Sequence, residues 1–189
     1  MNLPNKLSLI RIASVPVLTA LLVFSGQMWT RYVALFLFIA SAITDFVDGH
    51  LARKYNLVTN FGKFIDPVAD KLLNLSAMIM LTMGGLLPHW AVIVILAREL
   101  AVDGLRMVAV GQGRVIAAGK LGKIKTVSQI VLVLFLMLAG RLAPMLFGGV
   151  LVPSVNVIGW IMIAWVVAIT VWSGVDYFQK NFDVIRNAK

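Results

Sequence analysis

An all-α integral membrane protein is predicted by three features of the sequence. Of its 189 residues 60% are hydrophobic and only 13% charged, with a mean hydropathy of +0.93. A soluble domain is nearer about 45–50% apolar and about 25% charged. The apolar residues also gather into six runs, each close to the roughly 20 residues that a helix needs to cross a ~30 Å hydrocarbon core. Finally, no run shows strand-like alternation, and only helices or closed barrels satisfy their backbone inside lipid.

The runs cover approximately 7–26, 31–52, 66–86, 88–110, 120–141 and 152–178. Ser25-Gly26 closes the first, which reads as a span rather than a cleaved leader because its positive flank is thin and no small-residue cleavage site follows. Gly84-Gly85 and Pro88 separate the third from the fourth, and Gly148-Gly149 and Pro153 precede the last. Arg- and Lys-rich segments punctuate the rest. Pro67 fits the first turn of the third helix, where its missing N–H is not needed. No soluble domain, repeat or low-complexity tract interrupts the pattern, so 1–189 reads as a single six-helix membrane domain.

Six spans put both termini on one side. That side carries Lys6, Arg11, Arg53, Lys54, Lys63, Lys71, Arg114, Lys120, Lys123, Lys125, Lys180, Arg186 and Lys189, against Arg31 and Arg141 opposite. The bias predicts cytoplasmic termini and a multi-pass protein of the cell (inner) membrane. A formal net charge of +9 would suit nucleic acid, but the bases flank apolar runs instead of covering one soluble face, so no nucleic-acid partner is expected. There is no cysteine, hence no disulfide framework and no thiol chemistry.

Against this background four aspartates stand out. Asp45 and Asp48 are three apart near the end of the second run; Asp66 and Asp70 are four apart at the start of the third. Each pair shares a helix face, and the short connection lets the two faces meet. Converging carboxylates repel and raise one another's pKa. Divalent cations relieve this, and hard oxygen donors suit Mg²⁺ or Mn²⁺. A pair of such ions ~3.5–4 Å apart is the clamp used in phosphoryl displacement. Gly49 would let a bulky ligand approach the helix backbone, and Arg53 offers a planar fork for phosphate. Helix capping and interfacial solvation would explain any one of these aspartates, but not the set.

The string Asp45-x2-Asp48-Gly49-x2-Ala52-Arg53-x8-Gly62-x3-Asp66-x3-Asp70 resembles the complete signature of the CDP-alcohol phosphotransferase family. The resemblance implies a six-helix fold with its active site toward the cytoplasmic membrane boundary. It also implies transfer of a substituted phosphate from a CDP-linked donor to an alcohol, with release of CMP and two divalent ions. On that pattern Asp45, Asp48, Asp66 and Asp70 are metal ligands, with Asp70 also the general base. Asp48, Gly49, Ala52, Arg53 and Gly62 line the donor pocket. The N-terminal LPNKLSLIR resembles a stretch near the family's nucleotide site, making Asn5, Ser8 and Arg11 candidates for donor binding. An N-cap at Asn5 and a topogenic Arg11 explain it equally well.

The acceptor is read from the fourth and fifth runs. Arg98, Glu99, Asp103 and Arg106 interrupt an apolar helix, and intramembrane charge marks a functional site by default. A buried Arg–Glu pair that only ties helices is the plainer alternative. Arg114, Lys120, Lys123 and Lys125 precede the fifth run; topology explains their number, but Gly122-Lys123-x-Lys125-Thr126 at a helix entrance suits an anion. Arg98, Arg106, Arg114, Lys123 and Lys125 are therefore the expected contacts for an acceptor bearing its own phosphate. REL-x3-GLR followed by LGKIKT-x2-Q resembles the bacterial branch of the family that uses glycerol 3-phosphate. It implies CDP-diacylglycerol as donor and phosphatidylglycerophosphate as product, in phospholipid biosynthesis. Inositol phosphate, phosphatidylglycerol or serine are the alternative acceptors. A homodimer is expected from the resemblance. A cation transporter is the rival class, disfavoured because the aspartates sit toward one boundary and no repeated halves are visible. His50 and His89 read as interfacial, and Gly111-Gln112-Gly113 is no dinucleotide fingerprint because no strand precedes it.

Overall fold

The computed structural model describes residues 3–24, 28–54, 60–114, 116, 119–146 and 153–186, all of them helix, turn or connection. The helices are α1 (Leu3–Val23), α2 (Met28–Lys54), α3 (Asn60–Met83), α4 (His89–Gly111), α5 (Lys120–Leu146), α6 (Pro153–Lys180) and α7 (Phe182–Arg186). They form two compact units, Met1–Gly84 and Gly85–Lys189.

In the first unit α1 packs on both α2 and α3, which touch each other little. The buried stripe of α1 runs Ser8, Arg11, Ser14, Leu18, Leu22, polar at one end and apolar at the other. Its neighbours match. Thr30, Ala34, Phe38 and Ser41 are buried on α2, and Ala69, Leu73, Ala77 and Leu81 on α3, at the three- and four-residue spacing of one helix face. Pro67 lies within α3, which begins at Asn60 instead of near Asp66. The expected first-turn position for this proline is therefore corrected: the helix begins seven residues before it. The Lys63 carbonyl then lacks an N–H donor from residue 67.

In the second unit α6 packs on α4 and α5, while α7 folds back onto α4 and α6. Val102, Leu105 and Ala109 of α4, Tyr177 of α6 and Val184 of α7 form one buried cluster, flanked by Ile116 and Phe178. The end of α4 explains why the chain can turn there. Gly113 takes φ 73°, Arg114 N–H bonds to the Ala109 carbonyl at 2.9 Å and Gly113 N–H to that of Val110 at 2.9 Å. This is a Schellman cap, in which glycine tolerates the left-handed conformation and spare carbonyls are satisfied. Gln112 Nε2 then donates to the Val184 carbonyl at 2.9 Å, tying α7 to the cap.

Among the described residues three helical stretches are long and apolar enough to cross a bilayer: Lys6–Val23, Lys120–Ala139 and Val157–Lys180; Tyr32–Thr44 is a shorter apolar one. Helices α3 and α4 have the length, but their apolar stretches are broken by Lys63, Asp66, Asp70 and Lys71 and by Arg98, Glu99, Asp103 and Arg106. Large apolar side chains such as Ile10, Phe36, Ile93, Trp160 and Trp172 face outward, while Arg11, Glu99, Lys125 and Gln129 are buried. That inversion of the soluble pattern suits a protein solvated by lipid.

Candidate active site

The polar end of the first unit is assembled by α1. Ser14 Oγ donates to the Arg11 carbonyl at 2.6 Å and lies 3.4 Å from Ser41 Oγ, joining α1 to α2. Six residues earlier Ser8 Oγ donates to Asp66 Oδ1 at 2.5 Å, joining α1 to α3. Ser8 is fully buried and Arg11 is 2% exposed. Gly62 is buried while Asp66 and Asp70 are half-buried. These positions prolong the stripe that farther along α3 holds Ala69, Leu73 and Ala77. Lipid-like packing thus gives way to carboxylates where the helices reach their polar ends.

Asp45 and Asp48 fall four and seven residues after buried Ser41, so they continue the register of α2. The side chains of Asn5, Asp45, Asp48, Ala52 and Arg53, and the surroundings of Gly49, lie outside the described residues. Among the described residues no three carboxylate, histidine or cysteine side chains come together. Asp66 and Asp70 are the two members of the expected metal set that are described. Their chemistry fits a hard divalent ion: both are oxygen donors one turn apart on one face, partly accessible, and Asp66 is oriented by a buried hydroxyl.

The second unit carries a separate charged cluster. Glu99 is 8% exposed and pairs with Lys125 Nζ, itself 3% exposed, and with Arg98 Nη1 at 3.5 Å. One buried carboxylate thus faces two cations. Arg98 runs close across two glycines. A Cβ on Gly174 of α6 would lie 3.1 Å from Arg98 Cγ, and one on Gly122 in the first turn of α5 would lie 3.8 Å from Arg98 Nη2. The guanidinium therefore reaches the entrance of α5, whose first turn contains Lys120 and Lys123, both exposed, and no acidic residue.

Two turns along α4, Arg106 Nε donates to the Tyr177 hydroxyl at 3.0 Å and its guanidinium carbon lies 5.4 Å from that ring's centre. Arg114 is exposed and pairs with Asp183 at the start of α7. The Arg114 hydrogen bond holds the Asp183 carboxyl below the usual carboxylate range.

Of the five expected acceptor contacts, Arg98 and Lys125 meet at Glu99, Arg106 turns to Tyr177, Arg114 pairs with Asp183, and Lys123 is exposed. Tyr177, Gly174 and the α7 clasp were not foreseen. Tyr177 and Arg106 are 71 residues apart, and nothing local signals such a contact.

The sequence model of the CDP-alcohol phosphatidyltransferase family matches residues 1–172. A Bacillus subtilis protein named CDP-diacylglycerol–glycerol-3-phosphate 3-phosphatidyltransferase is 43% identical, across 99% of this chain and 98% of its own length. A Mycobacterium tuberculosis protein named probable phosphatidylglycerophosphate synthase is 41% identical, across 95% and 81% respectively. A Rickettsia typhi protein with the same name as the Bacillus one is 36% identical, across 94% and 96%.

Proposed function

The chain belongs to the CDP-alcohol phosphatidyltransferase family, and from that premise we propose that it transfers the phosphatidyl group of CDP-diacylglycerol to sn-glycerol 3-phosphate, yielding phosphatidylglycerophosphate and CMP. The observation that carries this reading is the full-length identity to relatives bearing that activity in their names. The family match runs from residue 1 to 172, through both compact units, which supports treating the chain as one family domain. We read all six long helices as spans, with both termini cytoplasmic in the cell membrane, from the Lys and Arg asymmetry. A homodimer also belongs to this reading.

In the reaction the acceptor hydroxyl oxygen attacks the phosphorus that bears diacylglycerol, the bond to the CMP oxygen breaks, and CMP leaves. Asp45, Asp48, Asp66 and Asp70 would hold two Mg²⁺ or Mn²⁺ ions, which when bound supply positive charge to the pyrophosphate and the departing nucleotide. Ser8 fixes the orientation of Asp66 through its buried hydroxyl. Asp70 takes the proton of the acceptor hydroxyl, a role helped by its partial exposure. Asn5, Gly49, Ala52, Arg53 and Gly62 line the donor pocket.

On the acceptor side a helix entrance with lysines and no acid is electrostatically incomplete, because the helix dipole adds to the same sign. An anion completes it. Arg98 beside Gly122, Lys123 and Arg106 provide the charge for a phosphate-bearing acceptor, while Lys125 answers Glu99 and Arg114 answers Asp183. Purified full-length protein with CDP-diacylglycerol and Mg²⁺ or Mn²⁺ tests the assignment by CMP release over a panel of acceptors. Glycerol 3-phosphate is expected to exceed inositol phosphate, phosphatidylglycerol, serine and glycerol in kcat/KM. Equal turnover with serine or glycerol would make the basic residues topogenic only.

A further inference from the structure

We propose that α6 sets the acceptor grip: Gly174 and Tyr177 are positioning residues that fix the reach of Arg98 and Arg106. The inference rests on the reading of these two arginines as contacts for a phosphate-bearing acceptor. Both positioning residues lie beyond the stretch matched by the family model, which ends at 172.

The two arginines are rooted eight residues apart on α4, about 12 Å along the helix axis. Long side chains rooted that far apart act on one small anion only if their rotamers are restricted, since ordering them at binding costs affinity. Two independent contacts with α6 supply the restriction. At Gly174 the backbone of α6 leaves room for the stem of Arg98, and a methyl group there would meet Cγ at 3.1 Å, closer than side-chain carbons ordinarily sit. One turn farther, the Tyr177 hydroxyl accepts from Arg106 Nε at 3.0 Å. That bond engages the inner nitrogen of the guanidinium, so the two terminal nitrogens stay available for a forked contact with phosphate. Tyr177 is itself rigid: it is 6% exposed in the cluster with Val102, Leu105, Ala109 and Val184.

The test is steady-state kinetics on full-length Tyr177→Phe and Gly174→Ala, with glycerol 3-phosphate and CDP-diacylglycerol varied separately. Arg98→Ala and Arg106→Ala run in parallel, and each variant's thermal unfolding is recorded. Tyr177→Phe keeps the ring and removes the acceptor atom. It is expected to raise KM for glycerol 3-phosphate about three- to tenfold, with kcat and donor KM within about twofold of wild type. Gly174→Ala is expected to raise the same KM at least about threefold, because its methyl group displaces the Arg98 stem, with kcat and donor KM within about twofold of wild type. Introduced into Arg106→Lys, which has no guanidinium to hold, Tyr177→Phe is expected to add less than about a twofold further change. An equal multiplicative effect in both backgrounds overturns the proposal, as does an unchanged acceptor KM in either single variant. If Arg98→Ala and Arg106→Ala raise acceptor KM while the α6 variants do not, the positioning role alone is wrong. If the arginine variants also leave it unchanged, the acceptor reading falls with it.

Discussion

In the first unit the buried polar side chains among the described residues include Ser8, Arg11 and Ser14 of α1, and Ser8 donates to Asp66, which like Asp70 stays half-buried. In the second unit a carboxylate, Glu99, is buried with Lys125 and pairs with Arg98 as well, while Lys123 and Arg114 are exposed. One region thus leaves negative charge accessible on a neutral and cationic support. The other buries the Glu99 carboxylate against two cations and leaves Lys123 exposed. A polar residue buried beside an accessible charge orients it; a charge buried against its opposite ties helices together. Burial therefore divides residues that look alike in the sequence, and it predicts variants of different size and kind.

The largest effect is expected on the acidic side. Asp45→Asn, Asp48→Asn and Asp66→Asn should each lower kcat on the order of a thousandfold, as loss of preorganised charge at a reacting phosphate does, while the protein still inserts and folds. Asp70→Asn should lose turnover just as fully yet bind CDP-diacylglycerol nearly as wild type does, because proton removal belongs to the chemical step. Calorimetric titration of donor into these variants separates the two behaviours. A donor affinity damaged equally in Asp70→Asn and Asp48→Asn would make Asp70 a ligand only.

Breaking the buried carboxylate should cost stability more than chemistry. Glu99→Gln leaves two cations without their partner, and such losses run to about 3–5 kcal/mol. Replacing Lys125 by Met in the same protein should recover much of the loss. Unfolding in detergent, followed by circular dichroism, measures both. An unchanged midpoint in Glu99→Gln would place Glu99 among ligand contacts instead.

Ser8→Ala is expected to act more gently. Removing the buried donor to Asp66 should weaken metal affinity about ten- to a hundredfold, read by direct titration of Mn²⁺ and by the metal dependence of CMP release. Saturating metal should restore most of kcat. The smallest effect belongs to Arg114–Asp183. Because Arg114 depresses the Asp183 carboxyl, its contribution is present above the ordinary aspartate value of about 3.9 and is lost as pH falls through the lowered one. Both partners are exposed, so solvent screens the pair. Asp183→Asn should leave the unfolding midpoint at neutral pH unchanged, and a measurable loss there would mean that the pair clamps α7.

Much of this organisation could be read from the sequence, and the limits have physical causes. Each long helix overlaps the apolar run expected for it; α2 and α5 contain theirs whole, while α1 and α3 end three residues short, at Val23 and Met83. Boundaries were poorer where a helix leaves the apolar zone: α3 starts at Asn60 and α2 continues to Lys54, since polar residues carry a helix as well as apolar ones once it is begun. The short α7 was missed because its docking depends on Val184 fitting a cluster made by α4 and α6. Fixed spacing within α2 and within α3 makes the two aspartate pairs conspicuous. Lys125 was harder to interpret, because its partner Glu99 is 26 residues away and local pattern does not reveal which cation a carboxylate will choose.

Kinetics of Arg106→Ala with glycerol 3-phosphate varied at saturating donor and metal test most directly whether acidic chemistry and cationic acceptor binding are separate tasks. The account predicts an acceptor KM raised about ten- to a hundredfold, the loss of a charge-assisted phosphate contact, with kcat largely kept. A collapsed kcat at unchanged acceptor KM would contradict it, because Arg106 would then serve the chemical step and the division of labour between the two regions would be wrong.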